Sequence, residues 1–147
     1  MDYAELQKQA AALTEGVPHP IANLANLSAL LMQELERLNW AGFYLLDGDK
    51  LVLGPFQGRP ACIEIPGGRG VCGTAAETGQ TLCVPDVHAF PGHIACDGRS
   101  RSELVIPLLK EGVPRGVLDL DSPDPGRFTA ADAEGLTPIA QMIGEWL

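Results

Sequence analysis

The chain has 147 residues, of which 46% are hydrophobic and 20% charged; that is the size and composition of one folded body, and it excludes disordered and fibrous classes. Ten Lys and Arg against nineteen Asp and Glu leave a formal charge of −9, which repels DNA, RNA and anionic membrane alike. No apolar run approaches the roughly 18 residues of a membrane span, and Met1-Asp2-Tyr3 opens no basic signal segment, so a cytoplasmic protein with no membrane partner is expected.

Asp2 and Glu5 supply a helix-start signal, and Tyr3, Leu6, Ala10 and Leu13 follow at helical spacing up to Gly16. Beyond the breaker Val17-Pro18-His19-Pro20, a second helix is predicted to run to about Leu38. Its stripe is Ile21, Leu24, Ser28, Leu31, Leu35 and Leu38, widened by Leu27, Leu30 and Met32. At Trp40 the period changes to two: Trp40, Gly42, Tyr44 and Leu46 share one side of a strand, and Ala41, Phe43 and Leu45 the other. Asp47-Gly48-Asp49 is a hairpin turn and residues 50–54 the returning strand. Residues 61–65 predict a third strand, 67–73 a glycine-rich corner before a short helix ending near Gly79, and 80–84 a fourth strand. Residues 86–102 follow neither period, and a stretch of that length inside a small domain points to a site. Residues 103–109 and 115–120 form a last hairpin. Thr129 with Asp132 is a capping box that opens a final helix carrying Leu136, Ile139, Ile143 and Trp146, interrupted at Pro138. The sum is an α+β domain over residues 1–147 with about six mostly antiparallel strands.

The four cysteines, Cys62, Cys72, Cys83 and Cys96, form no C-x-x-C pair, unlike a zinc ribbon or a thioredoxin motif. In a reducing compartment they are either buried small hydrophobes or working thiols. Cys96 lies in the irregular segment near His93, Arg99 and Arg101, surroundings that lower a thiol pKa and favour a nucleophile; an incidental loop cysteine is the plainer alternative. Cys62 and Cys72 can each approach it on folding, whereas Cys83 follows Leu82 in a strand and is expected in the core. Asp119 and Asp121 alternate with Leu118 and Leu120, so both carboxylates share one face, roughly 7 Å apart. Glu103 starts the neighbouring strand. Three acids converging there can hold an ammonium group or keep one member protonated near neutral pH, against the alternative of a solvated outer face. Two further patterns are weaker. Gly68-Arg69-Gly70-Val71-Cys72-Gly73 matches G-x-G-x-x-G, but the helix after it is short and the strands around it are hairpins, so a tight turn is preferred to a dinucleotide site. His88, His93 and Cys96 have spacing compatible with zinc but no clear fourth ligand.

Five segments carry a likeness in combination: Asn39-Trp40-Ala41-Gly42-Phe43-Tyr44, Leu53-Gly54-Pro55-Phe56-Gln57-Gly58, Gly70-Val71-Cys72-Gly73-Thr74-Ala75, His93-Ile94-Ala95-Cys96-Asp97 and Gly116-Val117-Leu118-Asp119-Leu120-Asp121-Ser122. Together they resemble the free methionine-(R)-sulfoxide reductase family of GAF-domain enzymes, over residues 23–128. The resemblance implies a GAF-like α+β fold, a six-stranded, mostly antiparallel sheet flanked by helices, with a pocket roofed by the Cys96 loop. It implies thiol-dependent reduction of free L-methionine (R)-sulfoxide through a cysteine sulfenic acid and an intramolecular disulfide, with no metal and no organic cofactor. Cys96 matches the attacking thiol, Cys62 the favoured resolving thiol and Cys72 an auxiliary or competing partner. Glu103, Asp119 and Asp121 match the acidic site residues, and Trp40 and Tyr44 the aromatic wall around the substrate's methyl end. Cys83 matches no family position. With no arginine clearly placed for the substrate carboxylate, backbone N–H groups of the Cys96 loop are expected to bind it. Thioredoxin or a similar dithiol is the implied reductant, and a homodimer a possible assembly. The alternative is a non-catalytic GAF module that senses a small metabolite, a role needing no three spaced cysteines beside carboxylates.

Overall fold

The stretch of period two beginning at Trp40 becomes a central strand with a hydrophobic cluster on each face. In the computed structural model, which describes residues 1–94 and 96–147 and so leaves Ala95 of the loop motif outside the described residues, the elements run in a simple order. They are α1 (Tyr3–Thr14), α2 (Pro20–Glu34), β1 (Trp40–Asp47), β2 (Lys50–Gly58), β3 (Glu64–Pro66), α3 (Gly70–Thr78), β4 (Leu82–Val84), β5 (Ser102–Lys110), β6 (Val113–Ser122) and α4 (Ala130–Trp146). One six-stranded sheet has the order β3-β2-β1-β6-β5-β4, and its neighbours pair antiparallel throughout. The α+β fold is the expected one. No helix among the described residues is long and apolar enough to cross a membrane.

Alternation divides the side chains between two clusters. Ala41 and Phe43 of β1, with Leu118 and Leu120 of β6, face Leu24, Leu27 and Leu31 of α2 and Leu136, Ile139 and Ile143 of α4. Trp40, Tyr44 and Val117 face the other way, toward Val71, Cys72 and Ala75 of α3. The first face is closed by α1, α2 and α4. The second is covered by one helix, α3, together with the irregular segment and Ala61 and Cys62, and this thinner cover leaves room for a site.

Several boundaries differ from expectation, each for a local reason. Helix α2 ends at Glu34 rather than near Leu38; Leu35 is still buried, but from extended backbone, and Arg37 turns the chain with φ of 59°. Ile21 and Leu13, assigned to apolar stripes, are exposed. Strand β2 continues past residue 54 to Gly58, because a register shift opposite Gly42 and Tyr44 gives Pro55 a bulge where its missing N–H is harmless. The third strand has only three residues, Glu64–Pro66. Helix α4 is not interrupted at Pro138; burial of Leu136, Ile139, Ala140 and Ile143 holds it across the lost backbone bond. Its predicted capping box is present, with Thr129 N–H donating to Asp132 Oδ2 at 2.8 Å. Tyr3 OH also donates to Asp132, tying α1 to the start of α4.

At Gly42 the fold needs the smallest residue. A Cβ there would overlap the Phe56 Cβ and lie 2.7 Å from the Phe56 Cα and 2.9 Å from the Pro55 carbonyl oxygen. Because two of these neighbours are backbone, Gly42→Ala is expected to cost about 2–3 kcal/mol, read as a fall in Tm of roughly 5–9 °C in thermal unfolding. A Tm within a degree of the parent would contradict the packing described here.

Candidate active site

The sheet register assembles the acids. Glu103 of β5 pairs with Asp121 of β6, and Asp119 pairs with Val105 two residues further along. Period two therefore puts all three carboxyls on the α3 side of the sheet. On the neighbouring strand Trp40 lies opposite Asp121 and Gly42 opposite Asp119. Trp40 stacks on Tyr44 at 5.8 Å and on Phe56 at 5.1 Å between ring centroids. The indole Nε1 donates to the Arg59 carbonyl at 3.2 Å, and Tyr44 OH donates to the Cys62 carbonyl at 2.9 Å. The aromatic wall thus also holds the chain segment that carries Cys62.

Cys62 and Cys96 form a disulfide, with Cα atoms 5.3 Å apart. Trp40, Tyr44, Cys72, Cys96 and the three acids line one cavity, and Cys62 joins them through its bond to Cys96. The Cys96 loop is pinned to the sheet close by. Asn39 Nδ2 donates to Asp97 Oδ2 at 3.2 Å and to Ser100 Oγ at 3.0 Å. Asp97 also accepts from the Arg99 N–H at 3.0 Å and pairs with the Arg99 guanidinium at 3.2 Å. Arg99 holds the Asp97 carboxyl below its usual range, so the Arg99 charge is committed to Asp97 rather than free to polarise Cys96, contrary to expectation.

The acid group is held far from ordinary carboxyl behaviour. Burial pushes the Glu103 pKa well up, and repulsion from Asp119 and Asp121 adds to it, while hydrogen bonds to both favour its protonated form. Asp121 is also pushed well up, by burial and then by Asp119. Asp119 is raised by burial, but hydrogen bonds from Glu103 and Cys72 pull it back. Asp119 is therefore the member that carries charge most readily and Glu103 the one that holds a proton. One buried oxygen of Asp119 has no hydrogen-bond partner among the described residues, and Asp119 lines the cavity, so that oxygen can accept from a donor bound there.

The thiols divide sharply. The Cys72 thiol is buried and donates to Glu103 Oε2 at 3.7 Å; burial, then Asp119 and Glu103, push its pKa well up, so it stays a thiol. Cys83, expected in the core, is exposed on the three-residue edge strand β4, its sulfur 3.3 Å from the Phe128 carbonyl oxygen. His88 and His93 meet edge to face at 6.0 Å. With Cys96 in a disulfide, its sulfur is not a thiolate ligand, and the His88, His93 and Cys96 set offers two imidazoles in this oxidised state. His93 lines the cavity, and burial and then His88 lower its pKa, leaving it neutral.

Three contributors escaped the sequence reading. Phe56 completes the aromatic stack, Asn39 anchors the Cys96 loop, and Arg69, at the N-cap of α3, lines the cavity. Asn39 and Phe56 both stand within the quoted motifs, the signal that marked their neighbours.

Comparison with known proteins meets this geometry at the same point. The family model described as GAF domain matches residues 22–146. The chain is 52% identical over 141 residues to the free methionine-R-sulfoxide reductase of Escherichia coli, covering 96% of this chain and 86% of that protein. The chain belongs to the GAF-domain family of free methionine-R-sulfoxide reductases. Two solved members of the family superpose on it closely. The fRMsr of Staphylococcus aureus in complex with substrate is 51% identical, covers 99% of this chain and 95% of its own, and has a TM-score of 0.93. The free methionine-R-sulfoxide reductase of Neisseria meningitidis in complex with its substrate is 44% identical, covers 98% and 87%, and has a TM-score of 0.94.

Proposed function

We propose that this protein is an oxidoreductase that reduces free L-methionine (R)-sulfoxide to L-methionine, with residues 1–147 acting as one catalytic GAF domain. The reading rests on a single observation: Cys96, bonded to Cys62, lines the same cavity as the buried Glu103–Asp119–Asp121 group. Names and substrate complexes of close relatives support it.

In the reduced enzyme the Cys96 thiolate attacks the sulfoxide sulfur. Glu103 delivers a proton to the sulfoxide oxygen, the oxygen passes to Cys96 as a sulfenic acid, and methionine leaves. Cys62 then condenses with the sulfenic acid, water departs, and the disulfide described above is the product. Cys72, kept protonated against Glu103, is the competing partner. Thioredoxin or a similar dithiol returns both cysteines to thiols by exchange. Asp119 and Asp121 hold the substrate ammonium, Trp40 and Tyr44 enclose its methyl end, and backbone N–H groups of the Cys96 loop read its carboxylate, with Arg69 near by. Charge recognition at both ends selects the free amino acid, since a residue within a peptide carries amides there.

Incubation with racemic free sulfoxide and dithiothreitol, followed by separation of the remaining epimers, tests the reading. Selective loss of the (R) epimer is expected; an unchanged ratio would leave a binding module without catalysis. Cys62→Ser is expected to release a single equivalent of methionine per chain and then stall with a trappable sulfenic acid. Sustained thioredoxin-linked turnover in that variant would transfer the resolving role to Cys72.

A further inference from the structure

We infer that Cys72, Glu103 and Asp119 form a binding site for a thiophilic divalent cation, zinc or cadmium, at the floor of the same cavity. The Cys72 sulfur and one carboxylate oxygen from each acid lie within 4.8 Å of one another, and the sulfur is 3.7 Å from Glu103 Oε2. A tetrahedral zinc with its usual bonds to sulfur and oxygen sets such donors about 3.5 Å apart, so the Cys72–Glu103 pair already has the required bite. The donors come from α3, β5 and β6, three elements packed together, and the three residues are 5%, 7% and 5% exposed. The unpartnered buried oxygen of Asp119 is an independent sign, because it is an acceptor without a donor on the wall of the cavity.

Donor chemistry decides which cation fits. A thiolate with two carboxylates favours zinc and cadmium over magnesium and calcium, which prefer all-oxygen shells. Three anionic donors around a doubly charged ion leave one negative charge, the same as the cation-free trio with Cys72 and Glu103 protonated, so the cation replaces two protons without adding buried charge. Binding displaces the protons of Cys72 and Glu103, since a cation reverses the charge balance that holds them there. The cation is an inhibitor and not a cofactor. Resting on the function proposed above, it takes Asp119 from the substrate ammonium and Glu103 from the sulfoxide oxygen, and so blocks turnover until a chelator removes it.

The test uses the oxidised protein, in which Cys62 and Cys96 are bonded, carrying Cys83→Ser so that Cys72 is the only free thiol. Cadmium titration is expected to produce a thiolate-to-cadmium ultraviolet band that saturates at one equivalent, releases protons and disappears on chelation, unaffected by excess magnesium. Cys72→Ser is expected to remove the band, and Asp119→Asn to weaken cadmium binding by about tenfold or more. Zinc protection of Cys72 against alkylation reads the same site without further substitution, should either variant fold poorly. Absence of the band, equal affinity in Asp119→Asn, or an alkylation rate indifferent to zinc would overturn the inference. These readouts are independent of turnover and test the cation site itself; a normal band beside uninhibited reduction would overturn the inhibitory role and count against the assignment of Glu103 and Asp119 to the reaction.

Discussion

Cys96→Ser is expected to lower kcat/KM for the free sulfoxide by at least about a thousandfold, some 4 kcal/mol of transition-state stabilisation. The substitution removes the atom that accepts oxygen. A serine hydroxyl is almost fully protonated at neutral pH and forms no sulfenic acid, so neither half of the cycle survives. Folding should persist, because position 96 lies in the irregular segment rather than in either core cluster. The proper control is wild type with its disulfide reduced: the bond closes a separation of 34 residues, and its removal alone lowers stability. The variant and the reduced wild type are expected to unfold at the same temperature within about 2 °C. Retained turnover in Cys96→Ser would remove the thiol chemistry altogether.

The second large effect is at Glu103, where activity and stability should move in opposite directions. Glu103→Gln keeps the shape and can still donate to Asp119 and Asp121, but has no proton to transfer, so turnover should fall by about a hundredfold or more. The folded protein without substrate should meanwhile become more stable at neutral pH, by roughly 1 kcal/mol or about 3 °C. The sign follows from linkage. The Glu103 pKa in the folded state lies well above its ordinary 4.5, so the folded state retains a proton that the unfolded chain has released. The contribution is fully present below the unfolded value and is lost as pH rises toward the folded one. Wild type should therefore lose stability as pH climbs from about 4.5 to neutral, and Glu103→Gln should show a flatter profile. A variant that keeps its turnover, or one that unfolds earlier than wild type at neutral pH, would remove Glu103 from the acid role.

Much of the frame was legible in the sequence because two periodicities dominate it. The alternation from Trp40 and from Val117 assigned each side chain to one of two faces, and both faces are buried. The acid group was legible for the same reason: once β5 and β6 form a hairpin, Glu103 comes opposite Asp121. What escaped depends on breaks in period and on contacts between distant positions. The apolar stripe of α2 continues through Leu35 and Leu38, which pack from non-helical backbone, so the true end at Glu34 left no mark. Phe56 reaches Trp40 only because of the bulge at Pro55. The Asn39 bond to Asp97 spans 58 positions. Cys83 follows Leu82 in a strand too short and too near the edge to have a buried side. Spacing alone left the cysteine pairing open between Cys62 and Cys72; only the family likeness favoured Cys62, and the disulfide is formed by Cys62.

The sulfur chemistry at Cys96 is tested most directly by one turnover without a reductant. Fully reduced protein is mixed with free methionine (R)-sulfoxide, quenched with an alkylating agent and digested for mass spectrometry of its cysteine peptides. One methionine per chain and a single linked peptide pair, Cys62 with Cys96, are the expected products, with Cys72 and Cys83 alkylated. Methionine release with Cys96 found as a free thiol would contradict the account at its root.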